Sequence, residues 1–224
     1  QFSYEEGYDN CMYIHVALIP FITPSNELKT KPAQHSVKEL LSLGIQPDIL
    51  VCRSDRPLSK EIKQKLSLFC NVKPACVIEN INSDSLYEVP LALENDGFAT
   101  QVIKRLKIKC KEKDLSDWTS MVEMSKKTTK SVTVGLVGKY TELHDSYLSV
   151  VESLKHAAIF ISAKVDIQWI DSELITTETA DKHLAGLDGI LIPGGFGVRG
   201  TEGKINTAQY AREKKIPYLG LCLG

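Results

Sequence analysis

The sequence lacks any excess of charge. Its 27 Lys and Arg residues are balanced by 28 Asp and Glu, a formal net charge of -1, which removes the electrostatic case for a nucleic-acid or membrane partner. It lacks an apolar run long enough to cross a bilayer, and QFSYEEGYDN at the start does not read as a signal peptide. The six cysteines, Cys11, Cys52, Cys70, Cys76, Cys110 and Cys222, form no C-x-x-C pair, so their spacing suits neither a zinc site nor a secreted disulfide framework. Several sit in apolar runs such as ILVC, where a buried, inert thiol is the default. Together these absences describe a reducing, cytoplasmic protein. Repeats and low-complexity tracts are missing too. No complete G-x-x-x-x-G-K-[ST] phosphate loop is present, since GLVGKY has the lysine without the spacing. His15, His144, His156 and His183 are scattered without ligand spacing, and no metal site is expected within the chain.

What is present is ordinary globular composition, 43% hydrophobic and 25% charged, over 224 residues, a length that suits two domains. The chain opens at Gln1 without a methionine and is expected to be a piece of a longer protein. MYIHVALIP alternates Ile14, Val16 and Leu18 as a strand ending at Pro20. After a loop, FITPSNELKTKPAQ, the run HSVKELLSLG predicts a helix with a Ser36/Glu39 capping box and Gly44 as its stop. PDILVC reads as a central parallel strand. SKEIKQKLSLFC is a second helix capped by Ser59, and ACVI is another buried strand. Helical stretches LYEVPLALENDG and FATQVIKRLKIK follow. The polar segment 109–130 reads as an interdomain connector in which Trp118, Met121 and Val122 pack as one helical turn. A second series then runs from SVTVGLVGKY, through a helix in SYLSVVESLKHAAIFI, strand VDIQWI, a helix around TETADKHL, strand DGILIP, loop GGFGVRGTEG and helix INTAQYAREKK, to strand IPYLGL. The fold class is therefore α/β, with two doubly wound parallel-sheet domains over 1–108 and 131–224, both expected to be incomplete.

Three motifs carry chemistry. GGFGVRG matches G-x-G-x-x-G between a strand and a helix, but the next strand ends without an acidic residue for a ribose, and the glycines stand too far ahead of INTAQYA for a tight turn. A glycine-rich loop at the carboxyl edge of a sheet explains it better, because glycines let backbone N–H groups approach a substrate oxygen. GLCLG has the G-x-nucleophile-x-G form of an elbow, with the Leu223 N–H as one oxyanion donor and Gly195 as the second. A helix starting at Cys222 would add thiolate character. Alone, those five residues fit a buried cysteine equally well; with PGGFG in the same sheet they favour a nucleophile. In NELKTKPAQHS, Lys29 and Lys31 precede a helix whose N-terminus attracts anions, with Gln34 and His35 adding hydrogen-bonding groups. Solvated lysines and a phosphate site both remain open there, as they do for Lys65.

The stretches ELKTKPAQHSVKELLSLGIQPDILVCRSDRPL, VGLVGKYTELHDSYLSVVESLKHA and LDGILIPGGFGVRGTEGKINTAQYAREKKIPYLGLCLG resemble the CTP synthase family, and the resemblance covers essentially the whole chain. It implies a P-loop-like amidoligase portion, the connector, and the first half of a class I glutamine amidotransferase. In that family ATP phosphorylates UTP, ammonia from glutamine displaces the phosphate, GTP activates the glutaminase and CTP inhibits by feedback. Mg2+ accompanies ATP, its ligands falling outside this segment, and the enzyme forms homotetramers and filaments. The resemblance implies that Lys29, Thr30, Lys31, Pro32, Ala33 and Gln34, with Lys65, bind UTP or CTP; Ala33 replaces a common threonine. Ile81, Asn82 and Ser83 stand at the ATP position, where their side chains depart from a common Asp-Val pair and only backbone contacts carry over. Gly195 and Leu223 would hold the oxyanion, Cys222 would be the nucleophile, and Phe196 and Arg199 would belong to the GTP-response loop. The family's phosphate loop and magnesium carboxylates would precede Gln1, and its glutaminase His and Glu would follow Gly224. The segment alone is therefore expected to be inactive. A different class I glutaminase, or a non-catalytic assembly or regulatory paralogue, remains the alternative.

Overall fold

The computed structural model describes residues 1–195 and 197–224 and divides into two compact units, Gln1–Ser116 and Asp117–Gly224. In the first, a short helix α1 (Phe2–Glu6) leads to β1 (Ile14–Leu18), a small antiparallel ribbon of β2 (Phe21–Ile22) and β3 (Glu27–Leu28), and helix α2 (Lys31–Ser42). Strand β4 (Ile49–Ser54), helix α3 (Lys60–Cys70), β5 (Val77–Ile81), α4 (Val89–Asn95) and α5 (Phe98–Leu106) complete it. The sheet is parallel in the order β1-β4-β5. Its central strand is ILVC, buried on both faces as a parallel strand requires. Ala33, Val37, Leu66 and Cys70 of α2 and α3 pack with Leu50 and Cys52 on one face. Leu93, Phe98 and Val102 of α4 and α5 cover Ile49, Val51 and Ile78 on the other. Ile14 and Val16 pair in register with Ile49 and Val51, yet Ile14, Val16 and Leu18 are exposed, whereas Ala17 and Ile19 are buried.

Helix α3 begins as its sequence predicts, the Ser59 hydroxyl accepting from the Ile62 N–H at 3.3 Å. Helix α2 does not. It starts at Lys31, ahead of the expected Ser36/Glu39 box, because Pro32 in the first turn has its φ preset and needs no N–H acceptor. Ser36 lies inside the helix and its hydroxyl meets His15 Nε2 at 2.8 Å.

The second unit begins within α6 (Ser116–Lys126), a helix of three turns with Val122 buried, so the stretch read as connector is more ordered than one turn. Then come β6 (Lys130–Gly138), α7 (Leu148–Phe160), β7 (Ala163–Asp171), α8 (Ala180–Leu184), β8 (Gly189–Ile192), α9 (Thr201–Lys214) and β9 (Tyr218–Gly220). The four strands are parallel in the order β7-β6-β8-β9. Val151 of α7, with Tyr147 just before it, packs on Leu136. Leu184, Tyr210 and Ala211 of α8 and α9 pack on Val137, Ile170 and Ile190 on the opposite face. The unit is doubly wound, and the class α/β holds for both units.

Helix α9 corrects one expectation. It starts at Thr201, directly after Gly200 with its φ of 73°, so the glycine loop does turn tightly into a helix. The ground that the glycines lie too far from INTAQYA falls, while the missing acidic residue after β9 still stands. The early start is possible because Gly203 lets the helix touch the chain at Ser172: a Cβ there would lie 1.6 Å from the Ser172 carbonyl oxygen. Replacing an interior helical glycine by alanine ordinarily gains about 1 kcal/mol. Here backbone obstructs the methyl group, and overpacking of this kind costs roughly 1–3 kcal/mol or more. Gly203→Ala is therefore expected to lower the urea midpoint of the second unit, and an unchanged or raised midpoint would contradict this packing.

Candidate functional site

In the order β6-β8-β9, three neighbouring parallel strands release Lys139, 193–195 and 221–222 at their carboxyl ends. That edge is where open α/β sheets bind ligands. The last turn is tight: the Leu221 N–H donates to the Ile192 carbonyl at 3.0 Å and the Gly224 N–H to the Leu221 carbonyl at 2.9 Å. Cys222 sits in it with φ of 56°, a left-handed conformation that a non-glycine residue adopts at a cost. Both flanking glycines of GLCLG are needed. A Cβ at Gly220 would lie 2.4 Å from the Gly224 carbonyl oxygen, and one at Gly224 would lie 2.2 Å from that of Ile192. Residues 221–224 thus form the tight turn that the G-x-nucleophile-x-G pattern predicts.

The glycine loop lies against this thiol. A Cβ at Gly194 would lie 3.2 Å from Cys222 Cβ and 3.8 Å from Sγ, so Gly194 makes the close approach while Gly195 next to it faces Lys139. Cys222 and Leu223 are exposed. Arg199 Nη2 donates to the Lys139 carbonyl at 3.0 Å, its Nε lies 3.2 Å from Glu173, and its guanidinium stands 5.5 Å from the Tyr140 ring centroid. Phe196 lies outside the described residues.

Two lysines are buried, Lys139 and Lys204, at 8% and 6% exposure; the first is the lysine of the incomplete phosphate loop, the second has no motif around it. Lys139 could have been found from the rule that ligands gather at strand ends; Lys204, in TEGKIN, reads as a solvated helix residue and gave no signal. Burial, and then repulsion from Lys139, push the Lys204 ammonium below its ordinary range, partly offset by Cys222. The hydroxyl of Ser172, fully buried under α9, has no hydrogen-bond partner among the described residues.

The first unit repeats the arrangement at the ends of β4 and β5. Thr30 and Lys65 line one cavity of about 410 Å³, together with Phe21 and Arg56, whose guanidinium lies 3.4 Å from the Phe21 ring centroid. Arg56, two residues beyond β4, is the group that strand-end reasoning missed. Thr30 is buried ahead of α2, and its hydroxyl accepts from Gln34 Nε2 at 3.0 Å. Ala33 is buried in the core, while Lys31 and Pro32 are exposed in the first turn. Lys29 pairs with Glu27, holding that carboxyl below its usual range. Neither Lys29 nor Lys31 lines the cavity. At the end of β5, Ile81 pairs with Ser54, the Asn82 N–H donates to the Ser54 carbonyl at 3.0 Å, and Arg53 Nη2 donates to the Asn82 side chain at 2.8 Å. Ser83 is exposed beside them. Among the described residues no three His, Cys, Asp or Glu side chains gather as a metal site.

A strained cysteine elbow facing a glycine loop, at the edge of a doubly wound sheet, is the arrangement of a class I amidotransferase module. The family model described as glutamine amidotransferase class-I matches residues 142–224. The model described as CTP synthase N-terminus matches residues 1–108. The CTP synthases of Ruminiclostridium cellulolyticum and Carboxydothermus hydrogenoformans are 57% and 54% identical over all 224 residues, and the chain spans 42% of the length of each. A solved structure, the glutaminase domain of Trypanosoma brucei CTPS with bound acivicin, is 43% identical over 42% of this chain and 37% of that one, with a TM-score of 0.39. The chain belongs to the CTP synthase family.

The lowered Lys204 sets a direction for stability against pH. The unfolded chain holds that proton up to about its ordinary value of 10.5, whereas the folded chain releases it earlier. Stability contributed at this site therefore rises with pH between the lowered value and 10.5. Lys204→Met is expected to raise the melting temperature of the second unit near neutral pH, with the gain shrinking as pH climbs through that window. A variant that melts lower at neutral pH would contradict the burial argument.

Proposed function

We propose that the chain serves in a CTP synthase, the ATP-dependent ligase that aminates UTP with ammonia taken from glutamine. On this reading residues 1–108 belong to the synthase portion, 109–130 connect, and 131–224 belong to the glutaminase portion. The observation that carries it is the seat of Gly194 on Cys222, 3.2 Å from a built Cβ, in a turn where the cysteine holds φ of 56°. An inert core thiol needs no such strain; a nucleophile at an elbow uses it.

The Cys222 sulfur attacks the side-chain carbonyl carbon of glutamine, and the carbonyl oxygen becomes an oxyanion held by the N–H groups of Gly195 and Leu223. The carbon–nitrogen bond breaks, ammonia leaves with the thiol proton, and a thioester remains. Water hydrolyses it to glutamate and restores the thiol. Each oxyanion donor is worth about 10²–10³ in turnover. In the first unit Thr30, Arg56 and Lys65 around one cavity support a pyrimidine nucleotide site for UTP, or for CTP as feedback inhibitor; Lys29, Lys31, Pro32, Ala33 and Gln34 join it by the family resemblance alone. The loop Ile81–Asn82–Ser83, pinned by Arg53, supports ATP contacts through backbone. Mg2+ would accompany that ATP. Arg199, and by resemblance Phe196, would respond to GTP. Family membership also supports a cytoplasmic enzyme that assembles as homotetramers and filaments.

The test completes the chain with the flanking segments of the R. cellulolyticum relative. Cys222→Ala in that full-length form is expected to reduce glutamine-dependent CTP synthesis by at least about 10³-fold while free ammonia still supports it. Loss with both nitrogen sources, or with neither, would contradict the assignment. The 224 residues alone should give no CTP above background with UTP, ATP and glutamine.

A further inference from the structure

GLVGKY, set aside as a failed phosphate loop, contains the residue against which three glycines of the loop lie. Lys139 leaves the carboxyl end of β6 and is 8% exposed. A Cβ at Gly195 would lie 3.4 Å from its Cε and 3.9 Å from its Nζ; one at Gly197 would lie 3.9 Å from Nζ, and one at Gly200 would lie 3.7 Å from Cγ. Gly195, Gly197 and Gly200 thus lie along one side chain, from stem to ammonium. Nζ donates to the Gly197 carbonyl at 3.4 Å, and the Lys139 carbonyl accepts from Arg199. The residue is anchored in turn. Its N–H donates to the Tyr147 hydroxyl at 3.2 Å, an approach that Gly138 permits, since a Cβ there would lie 2.7 Å from that hydroxyl.

Packing alone does not call for lysine here. Burying an ammonium is costly, and a second buried lysine, Lys204, lies near enough to be repelled by it. Methionine would fill the same space without a charge. Methionine would not supply the donor that the ammonium offers to the Gly197 carbonyl, two residues beyond Gly195.

We propose that Lys139 is a positioning residue for ammonia release: its ammonium and stem hold the glycine loop so that the Gly195 N–H stays aimed at the oxyanion formed over Cys222. The role rests on the glutaminase reading above.

The test measures Lys139→Met and Lys139→Arg in the full-length form, with Cys222→Ala in parallel. An oxyanion donor out of place lowers kcat without weakening ground-state binding. Lys139→Met is expected to lower kcat for glutamine hydrolysis about 10²-fold, with KM for glutamine changed less than about threefold and ammonia-dependent CTP synthesis retained. Lys139→Arg, which keeps a cationic donor, is expected to lose less than about tenfold. A loss carried by KM, a loss with both nitrogen sources, or unchanged kcat would overturn the proposal. If Lys139→Met does not fold, Lys139→Arg decides, and a loss in kcat approaching 10²-fold or more there overturns it. If Cys222→Ala keeps glutamine-dependent synthesis, the glutaminase reading itself fails, whatever Lys139 does.

Discussion

Helix α9 reaches the second sheet because residue 203 has no side chain. With its backbone against Ser172, the helix can begin directly at Thr201, and Gly200 is brought so close that a Cβ there would lie 2.2 Å from the Ser172 hydroxyl. That contact sets the far end of the glycine loop; the end of β8 sets the near one. Between them the loop settles on Lys139, and Gly194 closes on Cys222. The contacts of Gly200 and Gly203 with Ser172 depend on an absent Cβ, so this end of the loop tolerates little. Strain at Cys222 and two buried cations are sustained because the surrounding sheet leaves the chain no relaxed alternative.

The same economy of parallel sheets organises the first unit. Residues 49–52 of its central strand are apolar and buried, so polar groups collect toward and beyond the strand's end. Arg56 after β4, Thr30 ahead of α2 and Lys65 on α3 meet around one cavity for this reason. The thiols illustrate the contrast. Cys52 lies within β4, fully buried, and burial pushes it up to about 12, too high to ionise at neutral pH. Cys222 lies two residues past β9, in the tight turn at the sheet's edge. Position along the strand separates the inert thiol from the one proposed as nucleophile.

Much of this was legible in the residues. ILVC announced a central parallel strand, Ser59 announced a helix start, and GLCLG announced an elbow, because each is a local pattern whose physics is local. The starts of α2 and α9 were misjudged. Both begin in polar text without an apolar period, and Pro32 and Gly200 set them through backbone preference alone. Ile14, Val16 and Leu18 alternate as strand residues should, but the pattern cannot say that α4 and α5 cover Ile49 and Val51 and leave these three exposed. Lys139 and Lys204 were the hardest. A lysine in sequence reads as solvated, and only the crossing of β6, β8 and α9 buries these two.

The central claim is that Cys222 is a nucleophile built for a glutamine-shaped substrate. Two cysteines are exposed, Cys110 and Cys222, while Cys11, Cys52, Cys70 and Cys76 are buried. Peptide mapping after reaction with a glutamine analogue that carries an electrophile at the side-chain carbonyl position, in the full-length form, therefore has an internal control. The account predicts modification of Cys222 and not of Cys110, suppressed by free glutamine, while iodoacetamide modifies both. Equal labelling of the two by the analogue, or no labelling of Cys222 when iodoacetamide reaches it, would contradict the account.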